Sequence, residues 1–105
     1  MFKSIYKKLK EDFDFLNNYG FIYRYDAKHF EVPSILYAKN ELKIEVGFNY
    51  REDRFYINIT KNNDYRNMIN LLDDVALPGK TYKEQVNIVK EYLLRRYLEG
   101  ANKDD

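Results

Sequence analysis

The strongest constraint on the fold is the alternation between Glu41 and Thr60, ELKIEVGFNYREDRFYINIT. Leu42, Ile44, Val46, Phe48 and Tyr50 alternate with Lys43, Glu45, Gly47 and Asn49, and Phe55, Ile57 and Ile59 alternate with Tyr56, Asn58 and Thr60. A period of two marks strands with one dry and one wet face. Between them Arg51-Glu52-Asp53-Arg54 makes a four-residue loop. That loop pairs Tyr50 with Phe55, Phe48 with Ile57 and Val46 with Ile59, which puts every apolar residue on one face.

Other segments supply what this hairpin packs against. Phe2, Ile5, Tyr6, Leu9, Phe13 and Leu16 recur at spacings of three and four, so Phe2 to Asn18 reads as an amphipathic helix stopped by Gly20. Phe15 falls off its stripe. Phe21 to Tyr25 alternates and reads as a first strand, Asp26 to Pro33 lacks a clear period, and Ser34 to Ala38 is a second strand. A tight turn at Lys39-Asn40 pairs Ala38 with Glu41, Tyr37 with Leu42 and Ile35 with Ile44; a slip of one residue would bring Leu36 inward instead. After Thr60, Asp64 is an N-cap for a short helix faced by Tyr65, Met68, Ile69 and Leu72. Leu77-Pro78-Gly79 breaks the chain, and Thr81 with Glu84 forms a capping box. A long helix then runs to about Glu99, with Tyr82, Val86, Val89, Leu93 and Tyr97 as its stripe.

The expected fold class is α+β. A four-stranded antiparallel meander carries the N- and C-terminal helices on one face, in the order α-β-β-β-β-α-α. The 105 residues, 1 to 105, are expected to form a single domain.

Composition excludes more functions than it supports. There is no cysteine, so disulfides and thiolate metal sites are excluded. Eighteen basic side chains face seventeen acidic ones, a balance without general attraction to nucleic acid or to an anionic membrane. No segment approaches the ~20 apolar residues of a membrane span, and the N-terminus does not read as a signal peptide. The expected location is the cytoplasm. Eleven Tyr and seven Phe suit an interface, although an AT-rich genome produces the same bias.

Catalytic signals are weak. His29 is the single histidine, falls in the irregular stretch and has no triad or zinc partner motif, so it reads as an ordinary loop residue. The carboxylate pairs Glu11-Asp12 and Asp73-Asp74 are sequence neighbours that point apart on a helix and suit solvated faces better than acid–base dyads. Tyr23-Arg24-Tyr25 offers an aromatic–basic stacking surface, but the charge balance and element order argue against nucleic acid. No catalytic residue, cofactor or metal ion is expected.

A protein-binding face fits better. With the helices on one side, the other side of the sheet presents Lys43, Glu45, Asn49, Tyr56, Asn58 and Thr60, and the hairpin tip adds Arg51, Glu52, Asp53 and Arg54. A polar, mixed-charge patch around a tyrosine has the chemistry of a transient interface. It is also simply what the wet side of a half-buried sheet looks like.

The order of segments resembles a known group. Leu16-Asn17-Asn18-Tyr19-Gly20-Phe21 ends the first helix; Ile35-Leu36-Tyr37, Leu42-Lys43-Ile44-Glu45-Val46, Tyr50-Arg51-Glu52-Asp53 and Phe55-Tyr56-Ile57 follow. Together they resemble the small cytosolic immunity proteins encoded beside bacterial polymorphic and contact-dependent toxins. The resemblance spans Phe13 to Thr60 and implies a non-enzymatic inhibitor that binds one cognate toxin domain. It transfers no individual binding residue. The alternative is a small accessory or structural protein, with a homodimer as one form.

Overall fold

The computed structural model describes residues 2–29, 32–62, 64, 69–70, 77 and 80–98. The described elements are α1 (Phe2–Asp12), a 3-10 segment (Asp14–Tyr19), β1 (Ile22–His29), β2 (Val32–Lys39), β3 (Leu42–Asn49), β4 (Arg54–Lys61), β5 (Ile69–Asn70) and α2 (Tyr82–Leu93), which ends in a π-helical turn (Leu94–Leu98). The strands form one antiparallel sheet in the order β1-β2-β3-β4-β5. The four long strands are the expected meander, with helices before and after it.

The helical stripes do what their spacing requires. Ile5, Leu9, Phe13 and Leu16 are buried. The first helix does not continue as one α-helix, however. At Phe13 (φ −111°, ψ 14°) it tightens into the 3-10 segment, and Leu16 N–H donates to the Phe13 carbonyl. With three residues per turn, Phe13 and Leu16 fall on the same side and both reach the core. Phe15 is half-buried at the margin, its ring 5.9 Å from that of Phe13. Gly20 closes the segment at φ 87°, and Phe21 N–H returns to the Leu16 carbonyl.

At α2, Thr81 accepts from Glu84 N–H and Glu84 accepts from Thr81 N–H, the reciprocal box that the sequence predicts. Val86, Val89 and Leu93 are buried. The chain continues as a π turn in which Leu98, five positions after Leu93, is buried. Both helices meet the sheet on one face through aromatic rings. Phe13 packs on Phe55 (5.7 Å), and Tyr82 packs on Phe48 and Phe55 (5.2 and 5.0 Å). Tyr82 also donates to Asp12 at 3.2 Å, which ties α2 to the end of α1.

The sheet keeps the expected facing but not the expected register. Phe48 pairs with Phe55, Val46 with Ile57 and Ile44 with Ile59, two residues away from the sequence expectation. Tyr37 likewise pairs with Ile44 and Ile35 with Val46. A shift of two preserves every facing, so periodicity is blind to it. Local turn chemistry decides. Asn49 Oδ1 accepts from the backbone N–H groups of Arg51 and Glu52, and Asp53 takes a left-handed conformation (φ 52°), so the loop is 50–53 and closes on the Asn49–Arg54 pair. Tyr50 therefore leaves the ladder and stands 53% exposed, its ring edge-on to Phe48, rather than on the dry face. Asn40 (φ 54°) makes the corresponding turn between β2 and β3.

Three further expectations change. β1 runs on to His29 and β2 starts at Val32, with Lys28 opposite Pro33, so the stretch read as irregular is mostly ladder and His29 ends a strand. Val32-Pro33 fits because proline is tolerated at a strand's start. Ile69–Asn70 is not helical but a short fifth strand against Ile59 and Asn58. The rest of the helix expected after Asp64, the break at Pro78-Gly79 and the tail after Leu98 lie outside the described residues.

Candidate functional site: the uncovered face of the sheet

Pairing across the sheet sorts the face opposite the helices into rows. One runs Ile22, Ala38, Lys43, Thr60; the next Tyr25, Leu36, Glu45, Asn58; the third Ala27, Ser34, Gly47, Tyr56. Asn49 and Arg54 close the tip. Lys43, Glu45, Asn49, Tyr56 and Asn58 are thus brought to one face, as the alternation predicts, with Arg51, Glu52, Asp53 and Arg54 at its end. Arg51, Glu52 and Asp53 are exposed; the other six are partly buried. Thr60 differs: it lies on this face but is only 5% exposed.

The middle of the face is internally satisfied. Glu45 accepts from Ser34 Oγ and from Asn58 Nδ2, both at 3.2 Å. Tyr56 lies flat rather than standing free, its ring occupying the space above Gly47. Its buried hydroxyl has no partner of good hydrogen-bond geometry among the described residues, although Ser34 lies near enough to favour its ionised form. Burial, reinforced by the Glu45 carboxylate, outweighs this and pushes the phenol up to about 12. Tyr56 is therefore a half-buried strut across three strands, not a protruding anchor.

The tip is held from the other side by a residue that the periodicity does not single out. Gln85 is fully buried. Its Oε1 accepts from Phe55 N–H (3.1 Å), and its Nε2 donates to the carbonyls of Asp53 (2.7 Å) and Lys80 (3.1 Å). Spacing did contain a signal, since Gln85 stands four and eight residues before the core positions Val89 and Leu93.

Apart from Tyr50 at the tip, the large exposed hydrophobic residues among those described lie on the β1–β2 half. Ile22 and Tyr25 are 64% and 55% exposed. With Leu36 and the cationic Arg24, Lys39 and Lys43 they line a depression of about 470 Å³. None of these apolar residues is among the sequence-predicted site residues. A smaller depression beside α1 is a structural clamp: Lys10 pairs with Asp26 (3.4 Å), which accepts from Tyr23 (2.6 Å), while Tyr6 donates to the Ala27 carbonyl (2.8 Å).

Among the described residues no three metal-type ligands converge, and no helix is long and apolar enough to cross a membrane. Glu11 is exposed beside the clamp, Asp12 is engaged by Tyr82, and Asp73-Asp74 lies outside the described residues. No family model matches the chain, and neither a curated protein nor a solved structure is significantly similar to it.

Proposed function

We propose that this chain is a non-enzymatic protein-binding module of the immunity type, a cytoplasmic inhibitor that holds one bacterial toxin domain in a stoichiometric complex. The observation that supports the reading is the one-sided sheet. Both helices cover one face, and the opposite face exposes Ile22 and Tyr25 next to Arg24, Lys39 and Lys43 at one corner, with the charged hairpin tip at the far corner. Large apolar side chains rimmed by charge are the composition of an interface core and its rim. The tip charges Arg51, Glu52, Asp53 and Arg54 would govern encounter rate and partner choice more than affinity.

Self-association is the second reading, favoured by the position of β1 as the terminal strand of the sheet beside the same exposed residues.

Affinity capture from the source cell, followed by calorimetry on the retained protein, tests both. The first reading expects one partner at equimolar ratio, weakened by Arg51→Glu with Arg54→Glu and indifferent to His29→Ala. Capture of no protein by a chain that sediments as a dimer would favour the second.

A further inference from the structure

The exposure of Tyr25 depends on a single inserted residue. The alternation Phe21, Tyr23, Tyr25 would place all three rings on the covered face. Phe21 is buried, and Tyr23 lies opposite the buried Tyr37 with its ring edge-on at 5.9 Å. Between Tyr23 and Tyr25 the register shifts: Tyr23 pairs with Tyr37, but Tyr25 pairs with the next residue back, Leu36. Arg24 is the extra residue of a β-bulge. Bulges re-aim side chains, and this one turns Tyr25 onto the uncovered face. There it joins Ile22 and half-buried Leu36 as an apolar floor.

Among the described residues, the charged side chains that line the depression are the cations Arg24, Lys39 and Lys43. Glu45, cross-strand from Leu36, is engaged by Ser34 Oγ and Asn58 Nδ2. Lys39 is held in place by its packing, its aliphatic chain over Gly20 and its ammonium 5.8 Å from the Phe21 ring. In a chain of net charge +1, Arg24 and Lys39 beside an apolar floor are a local concentration rather than a general one.

We infer that this bulge-made groove seats an acidic segment of the partner protein, with an apolar or aromatic side chain on Ile22, Tyr25 and Leu36 and flanking carboxylates against Arg24, Lys39 and Lys43. This rests on the protein-binding reading and names the chemistry of the partner. It puts the energetic centre of the interface on the β1–β2 half, because buried aromatic anchors dominate binding and rim charges tune it.

The test is an amide NMR titration of the whole chain with a short peptide bearing a central phenylalanine and two glutamates on each side. A second peptide with lysines in place of the glutamates is the control. The acidic peptide is expected to shift the amides of Ile22, Tyr25, Leu36 and Ala38, with affinity falling several-fold on adding salt and again in Arg24→Glu. Tyr25→Ala should abolish the shifts while leaving the spectrum folded. No shifts in these residues, shifts centred elsewhere, or equal binding of the lysine peptide would overturn the inference. A captured partner whose affinity is indifferent to Arg24→Glu and Tyr25→Ala would also overturn it and leave the protein-binding reading standing. Failure to capture any protein would count against that reading, while the titration would still judge the groove.

Discussion

The ring of Tyr56 fills the space that a side chain at Gly47 would need. The two residues are direct cross-strand partners, and a Cβ on Gly47 would collide with the phenol ring. Glycine in a strand interior ordinarily weakens it, but here it admits a close approach.

The pair should therefore be coupled. Gly47→Ala is expected to cost ~1–3 kcal/mol through overpacking. In Gly47→Ala/Tyr56→Ala the collision disappears, so the double variant should be more stable than the sum of the single losses predicts. Urea unfolding of the four proteins measures this. Strictly additive losses would show that the ring moves aside freely.

Val46 and Ile57 face each other in the core, both fully buried. Val46→Asp would place an unpaired carboxylate there, at a cost of several kcal/mol against a total stability of ~5–15 kcal/mol. The variant should be largely unfolded by circular dichroism at room temperature. A melting curve close to that of the parent would contradict the facing described above.

Gln85→Leu preserves bulk but deprives Phe55 N–H and two carbonyls of their partner. We expect a loss of about 2–3 kcal/mol, the scale of stranded buried polar groups. The more specific sign is faster hydrogen exchange at the Phe55 amide than at Ile57. Unchanged protection at Phe55 would mean that the tip does not depend on α2.

Alkaline pH offers a test that needs no variant. Burial raises the phenols of Tyr37 and Tyr56 to about 12, and Tyr82 is raised further by burial and the adjoining Asp12. The unfolded chain ionises near the ordinary value of 10.0. Below that pH both states are protonated, and the stabilisation is fully present. As pH rises from there through the folded-state values, the unfolded state loses protons first and stability falls. Ultraviolet titration should show these tyrosines ionising late and together with loss of structure. Eleven tyrosines titrating at one ordinary value in a folded protein would refute the burial.

The division between what could and could not be read from sequence follows from these cases. Facing was legible because alternation survives a two-residue slip; register was not, because Asn49, Asp53 and Asn40 fix it through turn geometry. Capping at Thr81 was legible because both partners lie within four residues. The bulge at Arg24 leaves no mark on composition, so alternation alone does not assign Tyr25 and Tyr23 to different faces, and the facing of Leu36 is settled only by its ladder partners. The polar part of the uncovered face was therefore anticipated, and its apolar part was missed. Gln85 was missed because a polar side chain at a core position gains its role from backbone groups 30 and 32 residues away.

Those separations have a consequence for synthesis. A ribosome delivers the β3–β4 hairpin well before it delivers α2, and until Gln85 arrives the Phe55 N–H and the Asp53 carbonyl wait for their helix-borne partner. The backbone of the hairpin tip thus completes its hydrogen bonding only after α2 has been made.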